Sequence, residues 1–198
     1  MAEKRINLVV EGYPDAQAAT KILRYLNFST ETVFNRRGKS RIDEKLAGFN
    51  SAARSTGAYW FVLRDMDTDA DCAPDLRAKL LPAPAASMCF RVVVRAIESW
   101  LLADRETMAA FLAVALAKIT GWPEALPNPK QYLIALARTS RRKEICEGMV
   151  PREGSGAKEG PEYASLLGQF VDQNWRPEIA AKNSDSLSRC LRSLRAWK

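Results

Sequence analysis

Two short apolar runs that each end in acid constrain this chain more than any other feature. Ile6-Asn7-Leu8-Val9-Val10 leads into Glu11, and Tyr59-Trp60-Phe61-Val62-Leu63 leads through Arg64 to Asp65 and Asp67. Both runs are too short for an ordinary helix and are rich in β-branched and aromatic residues. They lack the alternation of a half-solvated strand, so each reads as a strand buried on both faces, as in a parallel sheet covered by helices. Ligands of open parallel α/β sheets bind outside the carboxyl ends of the strands. The fold therefore carries Glu11, Asp65 and Asp67 to the edge where chemistry is done.

The rest of the chain fits an α/β order through residue 104. Strands are expected over 5–11, 31–35, 58–65 and 89–95, with helices over 16–27, 42–56, 74–81 and 97–104 between and after them. Asp15 is a candidate cap for the first of these helices, Gly57 ends the second, and Pro74 suits the first turn of the third. Beyond residue 104 no further strand is expected. Helices are read over 105–119, 129–137, 140–147, 161–175 and 184–197, with an exposed Gly- and charge-rich loop over 148–160. The expected division is an α/β domain over 1–104 and a helical C-terminal annex over 105–198. Trp60, Trp100 and Leu101-Leu102 read as core.

Composition narrows the chemistry. The 198-residue chain is 47% hydrophobic, enough for a real core, and has no apolar run long enough for a membrane helix. With no secretory leader in view, a soluble cytoplasmic protein is expected. Its four cysteines (Cys72, Cys89, Cys146 and Cys190) form no CxxC pair and read as reduced thiols. There is no histidine, which excludes a Ser-His-Asp triad, a Cys-His pair, an HExxH zinc site and a histidine proton shuttle within the chain. Acid–base work falls to Asp, Glu, Lys, Tyr or activated water.

Acids gathered at one sheet edge repel one another unless a cation joins them. A hard divalent ion, Mg²⁺ or Mn²⁺, is the expected partner because it prefers oxygen ligands. Asp65 and Asp67 share one face if the strand persists. Asp69 continues the acidic run and Glu98 follows the fourth strand, so the candidate ligands are Glu11, Asp65, Asp67, Asp69 and Glu98. Asp71 and Asp75 read as a solvated acid or a helix cap. The net charge of +7 suits a protein that binds phosphates with its surface and a metal with a local acidic site. Arg36, Arg37, Lys39 and Arg41 follow the second strand and Arg95 the fourth. These five are the candidate nucleic-acid contacts. Lys158 is a weaker one. Gly38-Lys39-Ser40 is not a Walker A loop, because the upstream glycine position holds Val33. Arg138, Arg141, Arg142 and Lys143 form another basic cluster, and Arg189, Arg192, Arg195 and Lys198 lie along one side of the terminal helix. Each reads equally as a solvated face.

Val10-Glu11-Gly12-x-x-Asp15, followed by a helix and later by Asp65-Met66-Asp67, resembles the Toprim domain of topoisomerases, bacterial primases and OLD-family nucleases. Asp65-Met66-Asp67-Thr68-Asp69-x-Asp71-Cys72-Ala73-Pro74, Val92 through Asp104, Gly160-Pro161-Glu162-Tyr163 and Ser184-x-Ser186-Leu187-x-Arg189-Cys190 together resemble an uncharacterised family of small bacterial Toprim-like proteins that accompany ATPases in mobile or anti-phage loci. The resemblance implies a Toprim-like, Rossmann-like, mostly parallel four-stranded sheet flanked by helices. It implies Asp65 and Asp67 as Mg²⁺ ligands and Glu11 as proton-transfer group or further ligand, all three being catalytic. The implied activity is phosphodiester hydrolysis on DNA or RNA, with an ATPase partner in a defence system. The family pattern Arg-Glu-x-Glu before the tryptophan departs here, where Ala96 replaces its first acid. The alternative is a non-catalytic Toprim-like module that binds nucleic acid or the ATPase. Homo-oligomerisation is left open.

Overall fold

β1 (Arg5–Val10) and β3 (Tyr59–Asp65) are the two central strands of the sheet, which explains why their sequences are almost continuously apolar. The computed structural model describes residues 4–197. Its sheet is four-stranded and wholly parallel in the order β2-β1-β3-β4, with β2 spanning Ser29–Asn35 and β4 Met88–Val93. Side chains alternate between two cores. Ile6, Leu8, Val10, Phe61 and Leu63 enter one, whereas Val9 and Val62 enter the other. Edge strand β2 (Ser-Thr-Glu-Thr-Val-Phe-Asn) is mostly exposed, as its polar composition requires.

The connections wind in two directions. α1 (Tyr13–Tyr25) carries the chain from β1 to β2 on the larger core's face. α2 (Lys39–Thr56) and α3 (Ala73–Leu80) carry it from β2 to β3 and from β3 to β4 across the opposite face. The direction of winding reverses between β1 and β3, so a crevice opens at their carboxyl ends. Glu11 and Asp65 stand at that reversal. Gly57 closes α2 with φ of 70°, a left-handed residue that only glycine adopts freely.

The remaining helices pack on the larger core with α1. α4 (Ile97–Leu102) buries every residue. α5 (Arg105–Leu112), α6 (Pro129–Arg138), α7 (Lys143–Met149), α8 (Tyr163–Gln173), α9 (Pro177–Ala180) and α10 (Asp185–Arg195) follow. Phe170, Trp175, Leu187 and Leu191 belong to the same apolar cluster as Ile6, Phe61 and Trp100. The residues on either side of position 104 thus share one core. Trp60 is only partly buried and stacks on Phe34 and Phe49 at 5.5 and 5.1 Å. No described helix is long and apolar enough to cross a membrane.

Several boundaries differ from expectation. α5 ends at Leu112 rather than 119, because Ala113 turns left-handed (φ 51°) and short 3₁₀ turns follow at Leu116–Lys118 and Pro123–Ala125. α7 starts at Lys143, after a turn in which Ser140 Oγ accepts from the Arg142 N–H (3.0 Å). The stretch read as one helix over 161–175 is shorter, and α9 follows it as a separate turn of helix. α10 starts at a true cap, with Ser184 Oγ accepting from the Leu187 N–H (3.2 Å).

Candidate functional site

The carboxyl edge of the sheet opens into a cavity of about 640 Å³ whose walls carry Glu11, Asp15, Asp65, Asp67 and Glu98. Glu11 and Asp65 come from the ends of the central strands. Glu11 Oε1 accepts from the Asp65 N–H at 2.8 Å, fixing one acid over the backbone of the next. Glu98 is drawn in by α4, where its Oε1 accepts from the Tyr163 hydroxyl of α8 at 2.8 Å. Asp67 and Arg95 hold each other's loops. The Asp67 N–H donates to the Arg95 carbonyl at 2.7 Å, and the Arg95 guanidinium donates to the Asp67 carbonyl at 2.9 Å. Both residues have positive φ, 49° and 63°. Such conformations cost free energy in residues with a Cβ and cluster at functional sites.

Asp15 belongs to this group rather than to a helix cap. Gly12 is the N-cap residue of α1, and no side chain caps it. Asp15 sits in the first turn, 5% exposed, and faces the cavity. Its Oδ1 and the Oδ1 of Asp65 are buried without a hydrogen-bond partner. The cost of this crowding appears in protonation. Burial, then Glu98 and Glu11, push the Asp15 carboxyl up to about 7. Burial and the carboxylates of Asp15, Glu98 and Glu11 push Asp65 well above the ordinary range. Glu11 and Glu98 are also raised, chiefly by burial. Burial, reinforced by Glu98, raises the Tyr163 phenol, which stays a proton donor.

Two basic groups meet the acids from outside. Lys39 Nζ donates to Asp67 Oδ2 at 2.7 Å and to Asp69 Oδ1 at 2.8 Å. Buried Arg64 forks onto Asp43 at 3.0 and 2.8 Å, and also reaches Asp69 Oδ2 at 2.6 Å. Hydrogen bonds from Lys39 and Arg64 hold the Asp69 carboxyl below its usual range. Both Asp69 oxygens are committed to this ion-pair network, and Asp69 does not line the cavity. Among the described residues no group of three or more acidic or cysteine side chains converges closely enough to hold a metal ion. The expected five-acid ligand set is therefore not a preformed shell. Glu11 turns to a backbone N–H, Glu98 to Tyr163 and Asp67 to Lys39, each toward a proton donor.

The expected basic contacts divide. Arg95 lines the acidic cavity. Arg36, Arg37 and Arg41 instead line a neighbouring cleft of about 340 Å³ with Glu44 and Lys45. Arg36 lies over the rings of Phe34 and Phe49 at 5.5 and 5.1 Å. Arg141 and Arg142 bond the carbonyls of Ala113 and Phe111, a structural role. Lys198 of the terminal basic series lies outside the described residues.

The far wall comes from the C-terminal helices. Lys130, at the start of α6, lies over the Tyr163 ring at 4.9 Å and pairs with Glu159. The 148–160 segment is an exposed loop as expected, apart from its first two residues, which end α7. Gly160 donates to the Met149 carbonyl at 3.0 Å and Glu162 to the Gly148 carbonyl at 2.9 Å, which closes the segment at its base. A Cβ on Gly160 would run into the backbone of Gly148 and Met149. The closure sets Lys158 and Glu159 against the cavity. Asp15, Lys130 and Tyr163 were not expected here. Asp15 and Tyr163 stood inside the motifs quoted above, but Lys130 carried no signal in the sequence. No protein-family model matches the chain, and neither the curated proteins nor the solved structures give a match.

Proposed function

We propose that this chain is a divalent-metal-dependent phosphodiesterase acting on nucleic acid, with its centre in the acidic cavity. The observation that carries the reading is the pair of buried, unpartnered carboxylate oxygens, Asp15 Oδ1 and Asp65 Oδ1, in a cavity shared with Glu11, Asp67 and Glu98. Buried carboxylates without partners are costly unless neutralised. Clustered hard oxygen donors suit Mg²⁺ or Mn²⁺. Asp65 and Asp67 would hold the ion, with Asp15 as a further donor, once their side chains turn toward one another, since they are not gathered closely enough as they stand. The bound cation supplies Lewis-acid polarisation of a phosphoryl oxygen and eases deprotonation of the attacking water.

The chain's own groups account for the rest. Glu11, half-buried and raised in pKa, accepts the proton from the attacking water. Arg95 at the rim offsets phosphate charge, and Arg36, Arg37 and Arg41 track the backbone beside it. Lys39 holds Asp67 in an ion pair, which would have to be displaced for Asp67 to act as a ligand. The resemblance of the Glu11–Asp15 and Asp65–Asp67 motifs to the Toprim domain supports the same reading. A partner ATPase and a defence setting enter through that resemblance alone.

Lys39 also favours a second reading. It already neutralises Asp67 and Asp69, as a non-catalytic module that binds nucleic acid or an ATPase would require. Cleavage of labelled single- and double-stranded DNA and RNA with Mg²⁺ or Mn²⁺ separates the two. Wild type is expected to cleave, and Asp65→Asn/Asp67→Asn to lose at least about a hundredfold, the upper end of what outer-shell partners of a metal cost. Equal cleavage by the folded double variant would overturn the metal-dependent reading. Probe binding without cleavage by wild type would favour the binding module.

A further inference from the structure

A second cleft, of about 520 Å³, lies at the free edge of β4 and carries the opposite charge. β4 pairs with β3 alone, so its other side is bordered by α3 and α10, which pack on opposite faces of the sheet. Each element contributes arginine: Arg77 from α3, Arg91 from β4, and Arg189 and Arg192 from α10. Two acids, Asp71 and Asp185, share the cleft. Asp185 is spent on Arg189, four residues along the same helix at 2.6 Å. Arg77, Arg91 and Arg192 make no ion pair among the described residues.

Arg91 is the most telling of the four. It projects from the edge strand toward α10, where its guanidinium donates to Ser193 Oγ at 3.2 Å, while its Nε is buried with no partner. A shielded guanidinium N–H without an acceptor costs free energy that an incoming acceptor would recover. Guanidinium forks match tetrahedral oxyanions better than lysine does. The Ser186 hydroxyl donates to Glu124 and that of Ser193 to the Arg189 carbonyl, so the arginines are the groups that would hold an anion. Only Arg189 and Arg192 stood out in the sequence, as one side of a helix. Arg77 and Arg91 join them only through the fold.

We propose that this cleft is a phosphate-binding site, separate from the acidic cavity, that takes the phosphate of a nucleotide or of a polynucleotide backbone. It does not depend on metal, so it stands or falls independently of the proposed hydrolysis. The test is fluorescence anisotropy in EDTA at low salt, with a labelled single-stranded DNA 20-mer and a labelled ATP as alternative probes. The proteins are wild type, Arg91→Gln/Arg192→Gln and, as a single-charge control on α3 outside the cleft, Lys79→Gln. Arg77→Gln/Arg192→Gln serves as a second pair that spares the packed Arg91. Removing charged hydrogen-bond donors is expected to weaken binding about tenfold or more, with a shallower salt dependence, while Lys79→Gln leaves it nearly unchanged. Loss for the 20-mer alone identifies a backbone site, and loss for ATP a nucleotide site. Absence of binding by both probes, or equal losses in Lys79→Gln and both arginine pairs, would overturn the proposal.

Discussion

The most informative single residue is Asp15, an acid that stability alone would not place where it is. Its carboxyl is raised from 3.8 to about 7, by burial first and by Glu98 and Glu11 next. The sign of its effect on stability follows. Below pH 3.8 the group is protonated in both folded and unfolded chain, and folding suffers no penalty. Between 3.8 and about 7 the unfolded chain ionises first, so stability is lost as the pH rises; above that window the loss is constant. Asp15→Asn removes the penalty. In EDTA the variant is expected to melt close to wild type at pH 4 and clearly higher at pH 8, the gain being at most about 4 kcal/mol. Thermal unfolding followed by circular dichroism at the two pH values reads this directly. A variant less stable than wild type at pH 8 would show that Asp15 is paired rather than crowded. Addition of Mn²⁺ at pH 8 should then raise the wild-type melting temperature more than that of the variant, since the ion binds only the folded acids.

At the level of elements, legibility tracked burial. β1 and β3 were plain in the sequence because central parallel strands bury both faces and leave an unbroken apolar run. Their terminal acids were plain for the same reason, since Glu11, Asp65 and Asp67 interrupt that run. Asp15 was hidden by its position, because an acid near a helix start has an ordinary explanation as a cap. Only the side-chain-free cap at Gly12 frees it for the cavity. The end of α5 was hidden because Ala113 takes the left-handed turn that glycine would have announced. The 148–160 segment was legible as an exposed loop from composition, and from residue 150 on it is one. Its closure by Gly148 and Gly160 was hidden, because that is a matter of backbone contact. That closure makes a prediction. Gly160→Ala forces a methyl against the Gly148–Met149 backbone. It is expected to cost about 2 kcal/mol, as overpacking typically does, measured by urea unfolding. Hydrogen exchange should quicken at the Gly160 and Glu162 amides, which lose their carbonyl partners. Unchanged exchange at both would mean that the segment is held by other contacts.

For the whole molecule, the question is whether the sheet stands without its helices. Its larger-core face presents Ile6, Leu8, Val10, Phe61 and Leu63, and what covers them beyond α1 comes from later in the chain. Trp100 shows the dependence. It is fully buried, its indole N–H donates to Ser186 Oγ at 2.7 Å, and its carbonyl accepts from the Trp175 indole at 3.1 Å. Ser186 in turn donates to Glu124 at 2.6 Å, and the same Glu124 oxygen accepts from Ser184 at 2.6 Å. Asp104, buried at the junction, accepts from the Arg176 guanidinium at 2.7 and 3.0 Å. Cutting after residue 104 strips all of these partners at once. It would expose an apolar face containing Trp100, Leu101 and Leu102 and leave polar groups of Trp100 and Asp104 without protein partners. Burial at roughly 25 cal/mol per Å² is most of what such a domain has to offset its chain entropy. Residues 1–104 are therefore expected to aggregate or to form a compact state without a cooperative thermal transition, whereas the full chain unfolds in one step. The acidic cavity should vanish with the fold, because Lys130, Lys158 and Tyr163 form its far wall and Tyr163 holds Glu98. A fragment that melts cooperatively would show instead that the sheet is an autonomous domain and that the helices serve only to wall the site.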